Sequence, residues 1–303
     1  MKSCGPIGLV LLTLAIGGGR ADVSFAQPMA PLPLERPYPR LPVPRPGVAA
    51  QRISTLIKQC RERYPKVARN PSRIGGLQGF RSVSGPFLIC AYGSLETVKG
   101  PELEEIASIA APGTILVLRS TGGPVATWLE FAERLQSKVS EVVVDGACFS
   151  SCANYGFVLG SRKIVTHGAL VVWHGGPTSS DVAGVGVPAH KGFAKLAKRT
   201  EILYRRLGVN LDILNETGRA DFSEEAIRAA SRRLNLRPQD LTFRGYALPP
   251  HVLTSCFGIK GVRGMWDPGS EDATIAAGLS RSRSLLIARL PASLRKRCSA
   301  AAK

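Results

Sequence analysis

The sequence predicts an α/β fold built on a mostly parallel sheet, and three observations carry that expectation. Short, largely apolar segments at 87–92, 114–118, 141–144, 163–165 and 170–173 have the length and composition of buried strands. They are interspersed with helical patterns at 101–110, 124–136 and 191–207. Glycines follow several of these segments within four residues, at Gly122-Gly123, Gly146 and Gly175-Gly176. Strands alternating with helices imply βαβ units joined by right-handed crossovers.

Residues 1–26 have the form of a secretory signal: Lys2, an apolar run over 6–16, then Ser24-Phe25-Ala26 as a small-x-small cleavage site. The apolar run is shorter than the roughly 20 residues a membrane span needs. Residues 27–50 read as a linker, with eight prolines between Gln27 and Gly47. Proline at that density imposes extended geometry and removes backbone donors, so no core forms there. A helix over 53–64 belongs to a helical extension assigned to residues 51–84. The α/β domain follows at 85–270. It starts with the Phe87–Tyr92 run and then the 101–110 helix, whose Glu102, Glu104 and Glu105 favour the positive helix N-terminus. In the 124–136 helix, Val125, Trp128, Leu129, Ala132 and Leu135 recur at 3–4 spacing, and 152–159 is apolar enough for a buried helix. Residues 271–303 read as a basic, Ser/Arg-rich C-terminal tail or peripheral helix.

The formal net charge is +18. Lys2, Arg20 and Asp22 lie ahead of the predicted cleavage site with a net +1, which leaves +17 beyond it. Such a surface is drawn to anionic partners, and peripheral contact with an anionic membrane surface is one expectation. Nucleic acid is not expected, because aromatics are only 6% of residues and the basic residues are spread along the chain. Beyond Cys4 there are six cysteines: Cys60, Cys90, Cys148, Cys152, Cys256 and Cys298. An even number in an exported chain favours disulfides, and a periplasmic or secreted location follows. No cysteine or histidine cluster has zinc spacing, so neither metal nor cofactor is expected.

Four features could carry chemistry. Ser120-Thr121-Gly122-Gly123 joins a strand to a helix N-terminus, where free N–H groups face any nearby anion. The plain alternative is a tight βα turn. Gly146-Ala147-Cys148-Phe149-Ser150-Ser151-Cys152 also runs from strand to helix, which places a serine at the carboxyl edge of the sheet. There the alternative is an N-cap, supplied by Ser150 or Ser151. His174 alone of the four histidines ends an apolar strand at that edge. Two carboxylates downstream, Asp221 and Asp240, could serve as its partner.

Together these features resemble the Clp-type serine peptidases, within the wider ClpP/crotonase fold of repeated ββα and βαβ units. The order Gly122-Gly123, Ser150, His174, Asp221 runs at separations of 28, 24 and 47 residues, and the likeness covers 85–258, more than half the chain. Cys148-Phe149-Ser150-Ser151-Cys152 is similar to the exported branch of that family, whose serine turn reads Cys-x-Ser-x-Cys. Phe149 stands where the family usually has a small residue.

The resemblance implies Ser150 as nucleophile, His174 as general base and then acid, and Asp221 or Asp240 as the group that orients the imidazole. It implies an oxyanion hole of backbone N–H groups from Ser151 and the Gly122-Gly123 turn. It also implies a homo-oligomer acting on peptides or unfolded protein. Cys148 and Cys152 either pair with each other across the turn or pair with Cys90 or Cys256. The leading expectation is thus an exported serine hydrolase of peptidase type. The competing one is a Clp-fold binding or scaffold protein without catalysis, and a crotonase-like acyl-thioester enzyme ranks third.

Overall fold

The apolar runs become the strands of one sheet, and the helices cover both its faces. The computed structural model describes residues 48–83, 85–178, 191–218, 228, 232, 243–264, 275–280 and 283–288. The chain enters through α1 (Val48–Arg63) and α2 (Pro65–Arg69), then β1 (Gly76–Arg81), β2 (Phe87–Tyr92) and α3 (Gly100–Ile109). It continues through β3 (Thr114–Ser120), α4 (Val125–Leu135), β4 (Val139–Phe149), a π-helix (Cys152–Phe157), β5 (Arg162–Val165) and β6 (Leu170–Val172). Beyond these come α5 (Lys191–Leu207), α6 (Asp212–Gly218), β7 (Phe243–Tyr246), α7 (Pro250–Phe257), β8 (Val262–Arg263), β9 (Ile275–Ser280) and β10 (Arg283–Ala288).

Seven strands form the main sheet in the order β1-β2-β3-β4-β5-β8, with β6 on the end of β4. Only β1 is antiparallel, to β2. The fold is therefore α/β with a mostly parallel sheet. Strand side chains alternate between two apolar layers, as period two requires. Ile89, Ala91, Leu116, Leu118, Val142 and Val144 face the core that includes α3, α4 and the π-helix. Leu88, Cys90, Tyr92, Ile115, Val117 and Val143 face Ile53, Leu56, Ile57 and Cys60 of α1.

Two buried carboxylates tie α1 to the second face. Arg61 donates to Asp145 at 2.9 and 2.5 Å, and Tyr92 donates its hydroxyl to the same carboxylate at 2.8 Å. Glu141, also buried, lies 3.2 Å from both Arg52 and Arg162. Burial, and then the charge of Asp145, push the Tyr92 phenol above its ordinary range, so it remains a donor. A disulfide between Cys60 and Cys90 joins α1 to β2 covalently.

Three sequence expectations change. Residues 76–81, assigned to the helical extension, form the edge strand β1. Its Gly-Leu-Gln-Gly-Phe-Arg composition, half open to solvent, has no apolar alternation to announce a strand. Residues 48–50, assigned to the linker, open α1 once the prolines end. Within the expected basic tail, β9 and β10 are strands of a second sheet ordered β7-β10-β9, whose pairing comes from β7, distant in sequence. The signal segment and the rest of the linker lie outside the described residues. Among the described residues, no helix is long and apolar enough to cross a membrane.

Because Asp145 is buried beneath Arg61, Arg119 and Tyr92, Asp145→Ala leaves the buried Tyr92 hydroxyl without its acceptor and the partly buried Arg119 without its counter-charge. It is expected to lower stability by about 3 kcal/mol. Urea unfolding should show a lower midpoint at unchanged slope. An unchanged midpoint would mean that this network does not hold α1 on the sheet.

Candidate active site

β4 delivers the serine turn through an irregularity. Against β3 its register runs Leu118↔Val144 and then Ser120↔Cys148, so β4 uses four residues where β3 uses two. Gly146, at φ +86°, sits at the shift; a Cβ there would fall 2.1 Å from Arg119 Nη1. The guanidinium occupies that space and donates to the Asp145 carbonyl at 2.9 Å. Below the shift β4 pairs with β5, and above it with β6.

At the top of β4 the chain reverses at Ser150. Its φ of +58° makes it the one non-glycine residue with positive φ among those described. Such a conformation is costly for a residue with a side chain and persists only where the surroundings hold it. Both of its backbone groups are held. The Ser150 N–H donates to Val172 O of β6 at 3.0 Å, and its carbonyl accepts from Asn154 N–H at 2.9 Å. Cys148 and Cys152 form a disulfide across the turn with Cα atoms 5.2 Å apart, within ordinary disulfide geometry. Of the two pairings open in the sequence, this is the one present, while Cys90 is taken by Cys60. Cys256 is also disulfide-bonded. Cys298 lies outside the described residues. Phe149 points into the protein and is buried. The π-helix that follows is buried throughout; such bulges are frequent at functional sites.

The Gly122-Gly123 turn lies directly on this reversal. Both glycines have positive φ, and a Cβ on Gly122 would come within 2.9 Å of Phe149 O and Ser150 Cβ. Ser151 Oγ donates to Gly123 O at 3.0 Å, locking the two turns together. The Gly122 amide donates to Ser120 Oγ at 2.9 Å. That amide is therefore engaged within the turn, contrary to the expectation that it would face a substrate. Gly123 and Ser151 remain as the candidate oxyanion amides.

His174 follows β6, one residue beyond the Trp173–Tyr246 bridge. Its Nε2 lies 2.6 Å from Ser150 Oγ. The side chain is exposed to solvent, and desolvation on the side it turns to the protein lowers its pKa from the ordinary 6.5. At neutral pH the imidazole is thus uncharged. In the tautomer protonated at Nδ1, Nε2 accepts the Ser150 hydroxyl proton. Asp221 and Asp240, the candidates for orienting the ring, lie outside the described residues.

Sequence reasoning missed two residues of this region. Asn154 donates through Nδ2 to Gly175 O at 2.7 Å, and Thr217 Oγ1 accepts from Gly175 N–H at 3.0 Å. Asn154 was detectable in principle as a polar side chain four positions after Ser150 in an apolar segment. Thr217 carries no such signal.

No protein-family model matches the chain, and no curated protein is similar to it. Among solved structures, a mutant of ClpP1 from Listeria monocytogenes is similar over 39% of this chain and 69% of its own, at 16% identity and a TM-score of 0.28. At that likeness the reading of the site rests on its own geometry.

Since the Gly122 Cβ position is occupied by the serine turn, Gly122→Ala should cost about 2 kcal/mol through strain at positive φ and contact with Ser150. Thermal unfolding would register this as a lowered Tm. A variant as stable as the parent would show that the two turns do not press on each other.

Proposed function

We propose that this chain is an exported serine hydrolase of Clp-like type, with Ser150 as nucleophile and His174 as base, acting on peptides or unfolded protein. The observation that carries the reading is the 2.6 Å approach of His174 Nε2 to the hydroxyl of a serine held at positive φ. A serine hydroxyl is a weak nucleophile until a base stands within hydrogen-bond reach, and this base is uncharged at neutral pH.

In the proposed reaction Ser150 Oγ attacks a substrate carbonyl carbon while Nε2 takes the hydroxyl proton. The developing oxyanion is met by the N–H groups of Gly123 and Ser151. His174 then returns the proton to the leaving amine, whose bond to carbon breaks. Water, deprotonated by the same nitrogen, releases the acyl group and restores Ser150. Asp221 or Asp240 would hold the imidazole in its productive tautomer.

Two disulfides among the described residues support an oxidising compartment, periplasmic or secreted. The order and intervals of the glycine turn, serine and histidine support the Clp-like assignment, and with it a homo-oligomer. The +18 charge supports peripheral association with anionic membrane surfaces, which would be released by salt.

The test is labelling of the purified protein by a fluorophosphonate. The parent should label, and Ser150→Ala and His174→Ala should each reduce labelling by at least about 100-fold, as expected for a nucleophile–base pair acting as a unit. Failure of a folded parent to label would sink the hydrolase reading in favour of a binding module.

The pH profile follows from the shift at His174. Labelling needs the neutral imidazole, and desolvation disfavours the cation. The acid limb should therefore fall at an apparent pKa below histidine's ordinary 6.5, with the rate lost as pH drops through it. A limb above 6.5 would mean that a negative neighbour, not desolvation, governs the ring.

A further inference from the structure

Ser150 and His174 arrive from the ends of different strands, and the described contact between their side chains is a single hydrogen bond. Something must fix the segment that carries the imidazole relative to the segment that carries the hydroxyl. Gly175, the residue after His174, has both backbone polar groups held by buried side chains. Its carbonyl accepts from Asn154 Nδ2 at 2.7 Å, and its N–H donates to Thr217 Oγ1 at 3.0 Å.

Each side chain is anchored in turn. The Asn154 N–H donates to the carbonyl of Ser150 at 2.9 Å, and the Asn154 carbonyl accepts from the Tyr204 hydroxyl at 2.9 Å. Thr217 Oγ1 donates to Ile213 O at 2.6 Å. Asn154 therefore bonds through its main chain to the nucleophile residue and through its side chain to the residue after the base. Gly176 packs closely against the same amide, since a Cβ at that position would meet Asn154 Nδ2 at 3.0 Å.

Asn154 also has an unmet need. Its Oδ1 is buried with no hydrogen-bond partner among the described residues. A buried polar atom without a partner costs stability, whereas an apolar side chain of similar shape would not incur that cost. The orientation of the amide is not arbitrary, since only the nitrogen can face the Gly175 carbonyl. An asparagine held here despite its idle oxygen is explained by what its nitrogen positions.

We infer that Asn154 and Thr217 are positioning residues that clamp Gly175 from two sides and thereby set His174 on Ser150. The inference rests on the serine-hydrolase reading above and names the device that preorganises its proton transfer. Neither residue touches the reacting atoms. Their effect is on the distance and direction of Nε2 from Oγ, where a displacement of about 1 Å can cost 100-fold in rate.

The experiment compares fluorophosphonate labelling rates and thermal stability for the parent, Asn154→Leu, Asn154→Asp, Thr217→Val and Thr217→Ser. Asn154→Leu removes the donor and the idle acceptor together. It should label about 10- to 100-fold more slowly, a loss larger than the modest fall in Tm expected from leaving the buried Gly175 carbonyl without its donor. Thr217→Val should slow labelling likewise, and Thr217→Ser, which keeps the hydroxyl, should restore it. Asn154→Asp supplies a readout that a merely structural role would not move. While its carboxyl is protonated it can donate to Gly175 O and sustain labelling. Once ionised it repels that carbonyl, so a new alkaline limb should appear that the parent lacks.

Parent-like labelling by Asn154→Leu would overturn the inference. So would a labelling loss no larger than the loss of folded protein in both Asn154→Leu and Thr217→Val. Should the parent itself not label, the hydrolase reading fails, and the His174 titration followed by NMR decides the clamp separately. A His174 pKa that moves toward 6.5 in Asn154→Leu supports the clamp, and an unmoved one overturns it.

Discussion

β4 must serve two neighbours, and the way it does so governs everything above it in the sheet. From Glu141 to Val144 it pairs with β5, and from Ala147 to Phe149 it pairs with β6. The change of partner needs extra chain, which the shift at Asp145–Ala147 provides, and it needs a residue with no side chain, because Arg119 fills the space beside Gly146. Had β4 continued in register with β3 and β5, residues 148–150 would sit elsewhere relative to the Gly122-Gly123 turn. Cys148 would then no longer face Ser120. The bulge thus re-aims a strand end, a recurrent use of such irregularities beside functional sites.

The same segment is braced from the opposite face. Asp145, inside the shift, collects Arg61 from α1 and Tyr92 from β2, while Arg119 holds its carbonyl. Burial pulls the Arg119 guanidinium down and the Asp145 carboxylate pushes it back up. The carboxylate therefore offsets part of the cost of holding that cation beneath the turn. The Cys60–Cys90 bond fixes α1 near this network. α1, which sequence reasoning set apart from the domain as part of a helical extension, is therefore tied to the segment of β4 that leads into the serine turn.

What the sequence made legible follows from what is local. Phe87–Tyr92 and Thr114–Leu118 are read at once because strands buried on both faces are apolar throughout. β1 is not, because an edge strand of glycine and polar residues has no local signature. β9 and β10 are not, because their pairing with β7 is a long-range fact. At the site, the position of the Gly122-Gly123 turn, Ser150 and His174 at the ends of apolar strands already suggested that they share one edge of the sheet, and their intervals carried the family resemblance. The pairing of Cys148 with Cys152 stayed open, since several partners were compatible with the chain. The engagement of the Gly122 amide by Ser120 could not be read at all. It depends on where Ser120 Oγ points, and that is set by its bond to Gly93 O at 2.6 Å from the neighbouring strand's turn.

The serine turn concentrates constraints that each carry a cost. Ser150 holds a left-handed backbone, and Asn154 keeps an oxygen with no hydrogen-bond partner among the described residues. A turn shaped for backbone comfort alone would place glycine at position 150. In a folded protein such local conflicts persist where the surroundings over-determine them, and they cluster where geometry has work to perform. Here the surroundings are specific: Val172 holds the Ser150 amide, Asn154 holds its carbonyl, and Cys148–Cys152 limits how far the two ends of the turn can separate. Each bond removes a motion that would carry Oγ away from His174 Nε2. In the proposed hydrolase the organisation cost would be met on folding, before any substrate arrives, which is the condition under which a hydroxyl and an imidazole 2.6 Å apart would act without further rearrangement.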